Sequence, residues 1–338
     1  LLKKSILAIC DVEKLYAYNF MEYINQKRSM PFEIQAFTNV DSLLEFGVRE
    51  KIDILMISDT AMCERVKELS VAENIVILSE GVHDPQLDQY PSVYKYQSSD
   101  RVIQEVMECY GADVLEAGGH AESGRQIEFV GVYSPLGRVL KTSFALTLGQ
   151  ILARDQAVLY INMEEFAGFE ALFHRRFEHT LSNLLYYIRQ ENRHVVYQLS
   201  SMVETVNNLD FLAPVATPLD IWETTFDDWD QLFQELAGHT VYDVIILDMG
   251  QGVDEWYRLL ERCKKVYMPV LDDVISQGKI QQFERLLAMW KQQELLDKIQ
   301  KVRPPFHSSY GDGADYVEQL VWSQLGDYVR SVVRGEQE

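Results

Sequence analysis

Short, unbroken apolar runs constrain this chain more tightly than any other feature. Residues 53–58 read DILMIS and residues 241–248 read VYDVIILD. A strand with one wet face alternates apolar and polar residues, whereas an unbroken run is covered on both faces. Segments of helical periodicity lie between these runs. Strands are expected over 5–10, 32–37, 53–58, 75–79 and 92–96, with helices over 12–26, 40–50, 62–69 and 100–110. The pattern resumes with strands over 127–133, 157–163, 194–199, 241–248 and 265–270. Helices are expected over 141–153, 169–191 (one or two), 225–236, 253–263, 276–294 and 316–333. Strands alternating with helices predict an α/β chain with mainly parallel sheets.

A length of 338 residues suits two domains, expected over 1–112 and 127–338. Residues 113–126 hold glycines and small polar residues and read as a linker. The chain has 31 basic and 52 acidic residues, a net charge of −21. That excess repels phosphate backbones and argues against broad nucleic-acid binding. Cys10, Cys63, Cys109 and Cys263 are scattered, and His174 and His179 lie five apart, so no metal-ligand spacing emerges. The opening apolar stretch runs straight into Asp11 and Glu13 and reads as a buried strand, not a signal peptide. No run of 18 apolar residues predicts a transmembrane helix, and a cytoplasmic protein is expected.

Two groups of residues carry chemistry. In the first part, Asp11 and Glu13 follow the first strand, Ser58 and Asp59 end the third, Ser79 ends the fourth and Lys95 lies in the fifth. This pattern resembles a response-regulator receiver domain of flavodoxin-like fold. The resemblance implies an acceptor aspartate where Ser58 stands. Asp59 falls one residue late, and a one-residue slip turns a side chain to the opposite face. An atypical receiver that takes no phosphoryl group is expected.

In the second part, a strand runs into Ser134-Pro135-Leu136-Gly137-Arg138-Val139-Leu140-Lys141-Thr142-Ser143, and a helix follows. A phosphate-binding loop uses glycines to bring backbone N–H groups near phosphate, a lysine at the helix start and an adjacent hydroxyl for Mg²⁺. Gly137, Lys141 and Thr142 meet part of this pattern, but Leu140 and Pro135 stand where glycines belong. The run to Asp248, followed by Gly250 and Gly252, has the form of a strand that delivers an aspartate to Mg²⁺ ahead of a flexible loop.

The order of loop lysine, acid after the next strand and Asp-ended strand resembles the ParA/MinD P-loop ATPases. With the receiver-like part in front, the chain is similar to TadZ/CpaE-like proteins of Flp/Tad (type IVb) pilus assembly. The resemblance implies ATP or ADP with Mg²⁺. Residues 137–143 (Gly137, Arg138, Val139, Leu140, Lys141, Thr142 and Ser143) would hold the nucleotide, and Thr142 and Asp248 the Mg²⁺. Glu164 and Asp248 would take catalytic places, with Asn162 near the metal. The family's trans-acting lysine position is Leu136, with Arg138 as a substitute, so hydrolysis is expected to be weak or absent. It further implies a homodimer, pilus-assembly or polar-localisation partners, and recruitment to a cell pole or the inner face of the membrane. An active ATPase switch and a signalling adaptor acting through the receiver-like part are the alternatives.

Other segments have plainer readings. The turn at 268–273 is expected to be an ordinary strand-to-helix connection, although the resemblance places it near an adenine base. Arg303-Pro304-Pro305-Phe306 ends a strand. The acidic helix over 225–236 presents a solvated face. The final helix carries Val317, Leu320, Val321, Leu325, Val329 and Val332 at helical spacing, which predicts core or dimer packing rather than membrane binding.

Overall fold

A computed structural model describes residues 5–26, 32–68, 72–81, 84–110, 127–190, 199, 202–305 and 315–335. The chain divides into two compact units, one built on each of two sheets. In the first, β1 (Ser5–Cys10), β2 (Phe32–Phe37), β3 (Ile52–Ser58), β4 (Ala72–Ser79) and β5 (Ser92–Tyr94) form a sheet of order β2-β1-β3-β4-β5. Every pairing in it is parallel. Its apolar runs divide by alternation. Leu7, Ile9, Ile54 and Met56 join one core, while Ala8, Cys10, Leu55 and Ile57 join the core on the other face.

The second unit holds β6 (Glu128–Val132), β7 (Val158–Met163), β8 (Val203–Val206), β9 (Leu209–Leu212), β10 (Val244–Met249), β11 (Lys265–Pro269) and β12 (Ile299–Val302). Their order is β12-β11-β6-β10-β7-β9-β8. All pairings are parallel except β8 with β9. The helix Lys141–Leu152 carries Phe144, Ala145 and Leu148 into the core against Val132, Tyr160 and Ile246. The C-terminal segment closes the same core, and all six of its periodic apolar residues are buried. Ser143 Oγ lies 3.0 Å from the Tyr316 hydroxyl, which joins that segment to the first turn of the helix.

Several elements differ from expectation. The run over 241–248 becomes strand only at Val244, and just before it the Asp243 carboxylate accepts from the Ala157 N–H at 2.9 Å. The helix expected over 276–294 is two helices, Val274–Met289 and Gln293–Lys298, separated where Lys291 takes a left-handed φ of 62°. The last helix breaks into Tyr316–Gln319, a 3₁₀ turn Leu320–Trp322 and Gln324–Arg334. Ser323 caps that final piece by accepting from the Leu325 N–H. Residues 169–190 hold two helices, Phe169–Leu172 and Leu181–Arg189, within the expectation of one or two. The β8–β9 hairpin was not expected. Its turn, Asn207-Asn208, has φ of 46° and 66°, the two positive values of a type I′ turn. Leu199 is helical, and the rest of the strand expected over 194–199 lies outside the described residues, as do the linker 113–126 and Phe306.

Candidate functional site

Ligands of open parallel sheets bind beyond the carboxyl ends of the strands. In the second unit β10 lies between β6 and β7, and Asp248 is paired in register with Asn162. Tyr160 and Asn162, two apart on β7, face the same way. Asp248 is fully buried. Its Oδ2 accepts from the Tyr160 hydroxyl at 2.8 Å and from Asn162 Nδ2 at 3.1 Å. Asn162 Oδ1 in turn accepts from the Glu164 N–H at 3.0 Å. Burial, then the Asp248 charge, pushes the Tyr160 hydroxyl well above its ordinary value, so it remains a proton donor.

Lys141 begins the helix after the loop and reaches into this group. Its Nζ lies 2.8 Å from Asp248 Oδ1 and 2.7 Å from Glu164 Oε1, and it donates to the Met249 carbonyl. The Met249 carbonyl takes its hydrogen bond, and the two carboxylates hold it as ion-pair partners. Burial acts to lower the Lys141 pKa, but Asp248 and Glu164 hold it above its ordinary 10.5. Burial and Asp248 raise the Glu164 carboxyl, and Lys141 opposes them.

The loop adopts an unusual backbone without glycine's help. Arg138 and Leu140 have φ of 59° and 57°, whereas Gly137 and Val139 are not left-handed. Alternating handedness is how successive N–H groups form an anion-holding concavity. Arg138 and Gly137 are exposed, and Val139 is buried. Leu136, which stands where the resemblance implies a trans-acting lysine in the family, is buried too. Ser134 Oγ donates to the Pro269 carbonyl at 2.7 Å and anchors the loop's start. Gly250 and Gly252, read as a flexible loop, have no left-handed φ. A Cβ at Gly250 would lie 2.6 Å from the Met163 carbonyl oxygen, so close approach of the two strand ends requires this glycine.

The loop backbone therefore suits an anion. The side chains do not suit Mg²⁺: Lys141 compensates both carboxylates, and Tyr160 and Asn162 occupy Asp248 Oδ2. Thr142 is half-buried and Ser143 is engaged with Tyr316. Tyr160 was not expected in the site; its only signal is its two-residue offset from Asn162. Arg303 pairs with Asp272 at 3.1 Å, which occupies that guanidinium in a surface contact.

The first unit has a charge cluster of its own at the carboxyl ends of its strands. Lys95 and Asp11 are buried, with Lys95 Nζ 3.2 Å from Asp11 Oδ2. Glu13 lies 3.3 Å and Glu80 2.6 Å from the same Nζ. Ser58 is buried, its Oγ 3.2 Å from Thr60 Oγ1, and Asp59 Oδ1 accepts from the Thr60 N–H. Ser79 Oγ accepts from the Gly81 N–H at 3.0 Å. Glu80 is a further residue that sequence reasoning passed over, although it directly follows Ser79.

Among the described residues, no helix is long and apolar enough to cross a membrane, and no group of three His, Cys, Asp or Glu could hold a metal ion. No family model matches the sequence, and no curated protein matches it. Solved structures do. A ParA-family ATPase from Chlorobium tepidum matches at 16% identity and TM-score 0.45, over 60% of this chain and 89% of its own. A plasmid partition protein from Borrelia burgdorferi, bound to AMPPNP, matches at 17% and 0.42, over 61% and 95%. Apo McdA from Cyanothece matches at 12% and 0.40, over 62% and 90%.

Two stability predictions follow from this geometry. Lys141→Met leaves Asp248 buried beside Glu164 without a cation and is expected to cost about 3–5 kcal/mol at neutral pH in urea denaturation. Because Lys141 titrates above 10.5 in the native state, its contribution is complete below that value and is lost as pH climbs past it. The gap between wild type and variant should therefore narrow in alkali. Glu164 acts in the same sense over a lower range: its native pKa is raised, so stability falls as pH rises from 4.5 through the native value. Arg138→Gly removes an exposed Cβ from a left-handed position and should raise stability by about 1 kcal/mol in the same assay. A loss instead would mean that the Arg138 side chain supports the loop.

Proposed function

We propose that the protein is a TadZ/CpaE-like localisation scaffold for Flp/Tad (type IVb) pilus assembly. Its domains are an atypical receiver-like domain, residues 1–112, and a ParA/MinD-like P-loop domain, residues 127–338, joined by the linker 113–126. The observation that carries this reading is the ion pairing of Lys141 with Asp248 and Glu164, beside its hydrogen bond to the Met249 carbonyl. A phosphate that recruits Lys141 must first break buried ion pairs, so ATP or ADP binds weakly and turnover is weak or absent. Residues 137–143 would supply the loop contacts. The scaffold works as a homodimer whose surfaces engage pilus-assembly or polar-localisation proteins, without a nucleotide cycle. Exposed Phe166, Val274 and Ile275, which follow β7 and β11, provide apolar contact area for such partners.

Titration of the purified chain with radiolabelled ATP, with and without Mg²⁺, tests this reading. The expected result is no saturable binding below millimolar ATP and no steady phosphate release. Micromolar binding with phosphate release that Lys141→Ala abolishes would establish the ATPase switch instead. In cells, deletion should remove surface pili, and a Thr142→Ala chain should restore them as well as wild type does. Thr142 takes no part in the Lys141 ion pairs, so the variant removes the hydroxyl that the P-loop resemblance assigns to Mg²⁺ without disturbing them. Retention of normal pili after deletion would refute the pilus role.

A further inference from the structure

The first unit's charge cluster contains a fully buried lysine, which is rare unless the charge is matched. The matching groups come from separate connections. Asp11 and Glu13 follow β1, Glu80 follows β4, and Lys95 follows β5. They converge on one nitrogen at 3.2, 3.3 and 2.6 Å. The rings of Tyr16 and Tyr96 face that nitrogen at 5.3 and 5.0 Å from their centroids. Burial alone would lower the Lys95 pKa, but Glu80 and Asp11 reverse this and hold it above its ordinary value. The end of β3 supplies Ser58 rather than a carboxylate, so the lysine has no acidic partner at that position and turns to the acids beside it.

With Lys95 in place these acids do not form a group that could hold a metal ion, although carboxylate oxygens are the donors that hard divalent cations take. We propose that the Lys95 ammonium is the resident cation of this cluster. It compensates the carboxylates that would otherwise collect a divalent ion, and it makes the native first unit blind to Mg²⁺. The cluster is then set by the chain itself and does not respond to metal. This inference concerns the first unit alone and is independent of the role given to Lys141.

Manganese uptake followed by the loss of the free-ion electron paramagnetic resonance signal tests it on the full chain without nucleotide. Wild type should show no uptake that Asp11→Asn removes. Lys95→Met, neutral and of similar length, should melt lower by about 10 °C. It should take up about one Mn²⁺, recover part of its melting temperature with the metal, and lose both effects when Asp11→Asn is added. Uptake by wild type that Asp11→Asn abolishes would overturn the proposal, as would a folded Lys95→Met chain that takes up none. If that variant does not fold, acylation of native lysines read by mass spectrometry decides. Lys95 should react slowly at a rate unchanged by Mn²⁺, and faster labelling with the metal would mean that the ion displaces it.

Discussion

The Lys141–Asp248 ion pair is the interaction on which the second unit's crevice depends. Burying a carboxylate costs several kcal/mol unless opposite charge and hydrogen bonds replace water. Asp248 has both, from Lys141 on one oxygen and from Tyr160 and Asn162 on the other. The lysine has its own difficulty. It is the first residue of its helix, where the partial positive charge of the helix end disfavours an ammonium. Asp248 and Glu164 offset that penalty. Each partner thus makes the other's position tolerable, and since the helix also carries Phe144 and Leu148 into the core, the pair ties loop, helix and central strand together.

The loop that delivers Lys141 stores strain. A left-handed residue other than glycine costs about 1–2 kcal/mol, and here Arg138 and Leu140 both adopt that conformation. Their neighbours fix them: Leu136 and Val139 are buried on either side of Arg138, and Ser134 is bonded to Pro269. Strain of this kind persists only where the surroundings over-determine it. The backbone has a shape that suits an anion, while the side chains pair with partners within the protein. That mismatch separates what the fold could hold from what the present residues favour.

The strands were legible because burial on both faces leaves a continuous apolar run, which few other structures produce. The acid at the end of β10 and the lysine after β6 were legible because each sits at a fixed offset from such a run. Other features left little trace. Tyr160 is one aromatic within a buried strand, and only three-dimensional pairing shows that its hydroxyl serves Asp248. The Asn207-Asn208 turn did carry a signal, two residues that tolerate positive φ between apolar segments, but the flanking strands are only four residues long. The helix break at Lys291 has no glycine or proline to mark it. Gly250 was visible as a glycine, yet its reason, a carbonyl 2.6 Å from where a Cβ would lie, exists only once β7 and β10 are adjacent.

The same electrostatic solution appears in each sheet. Connections at the carboxyl ends of parallel strands bring acidic residues together, and this chain carries an acid excess that gives a net charge of −21. Clustered carboxylates in a crevice demand a counter-charge, which an enzyme commonly takes from solution as metal or substrate. Here a lysine supplies it in both units, Lys95 with Asp11, Glu13 and Glu80, and Lys141 with Asp248 and Glu164. A ligand shifts a conformational equilibrium only by its differential affinity for the two states. When the counter-charge is covalently part of the chain, an incoming ion must displace it before that difference can develop, and much of the binding energy is spent on the displacement. A charge cluster built this way holds one arrangement steadily.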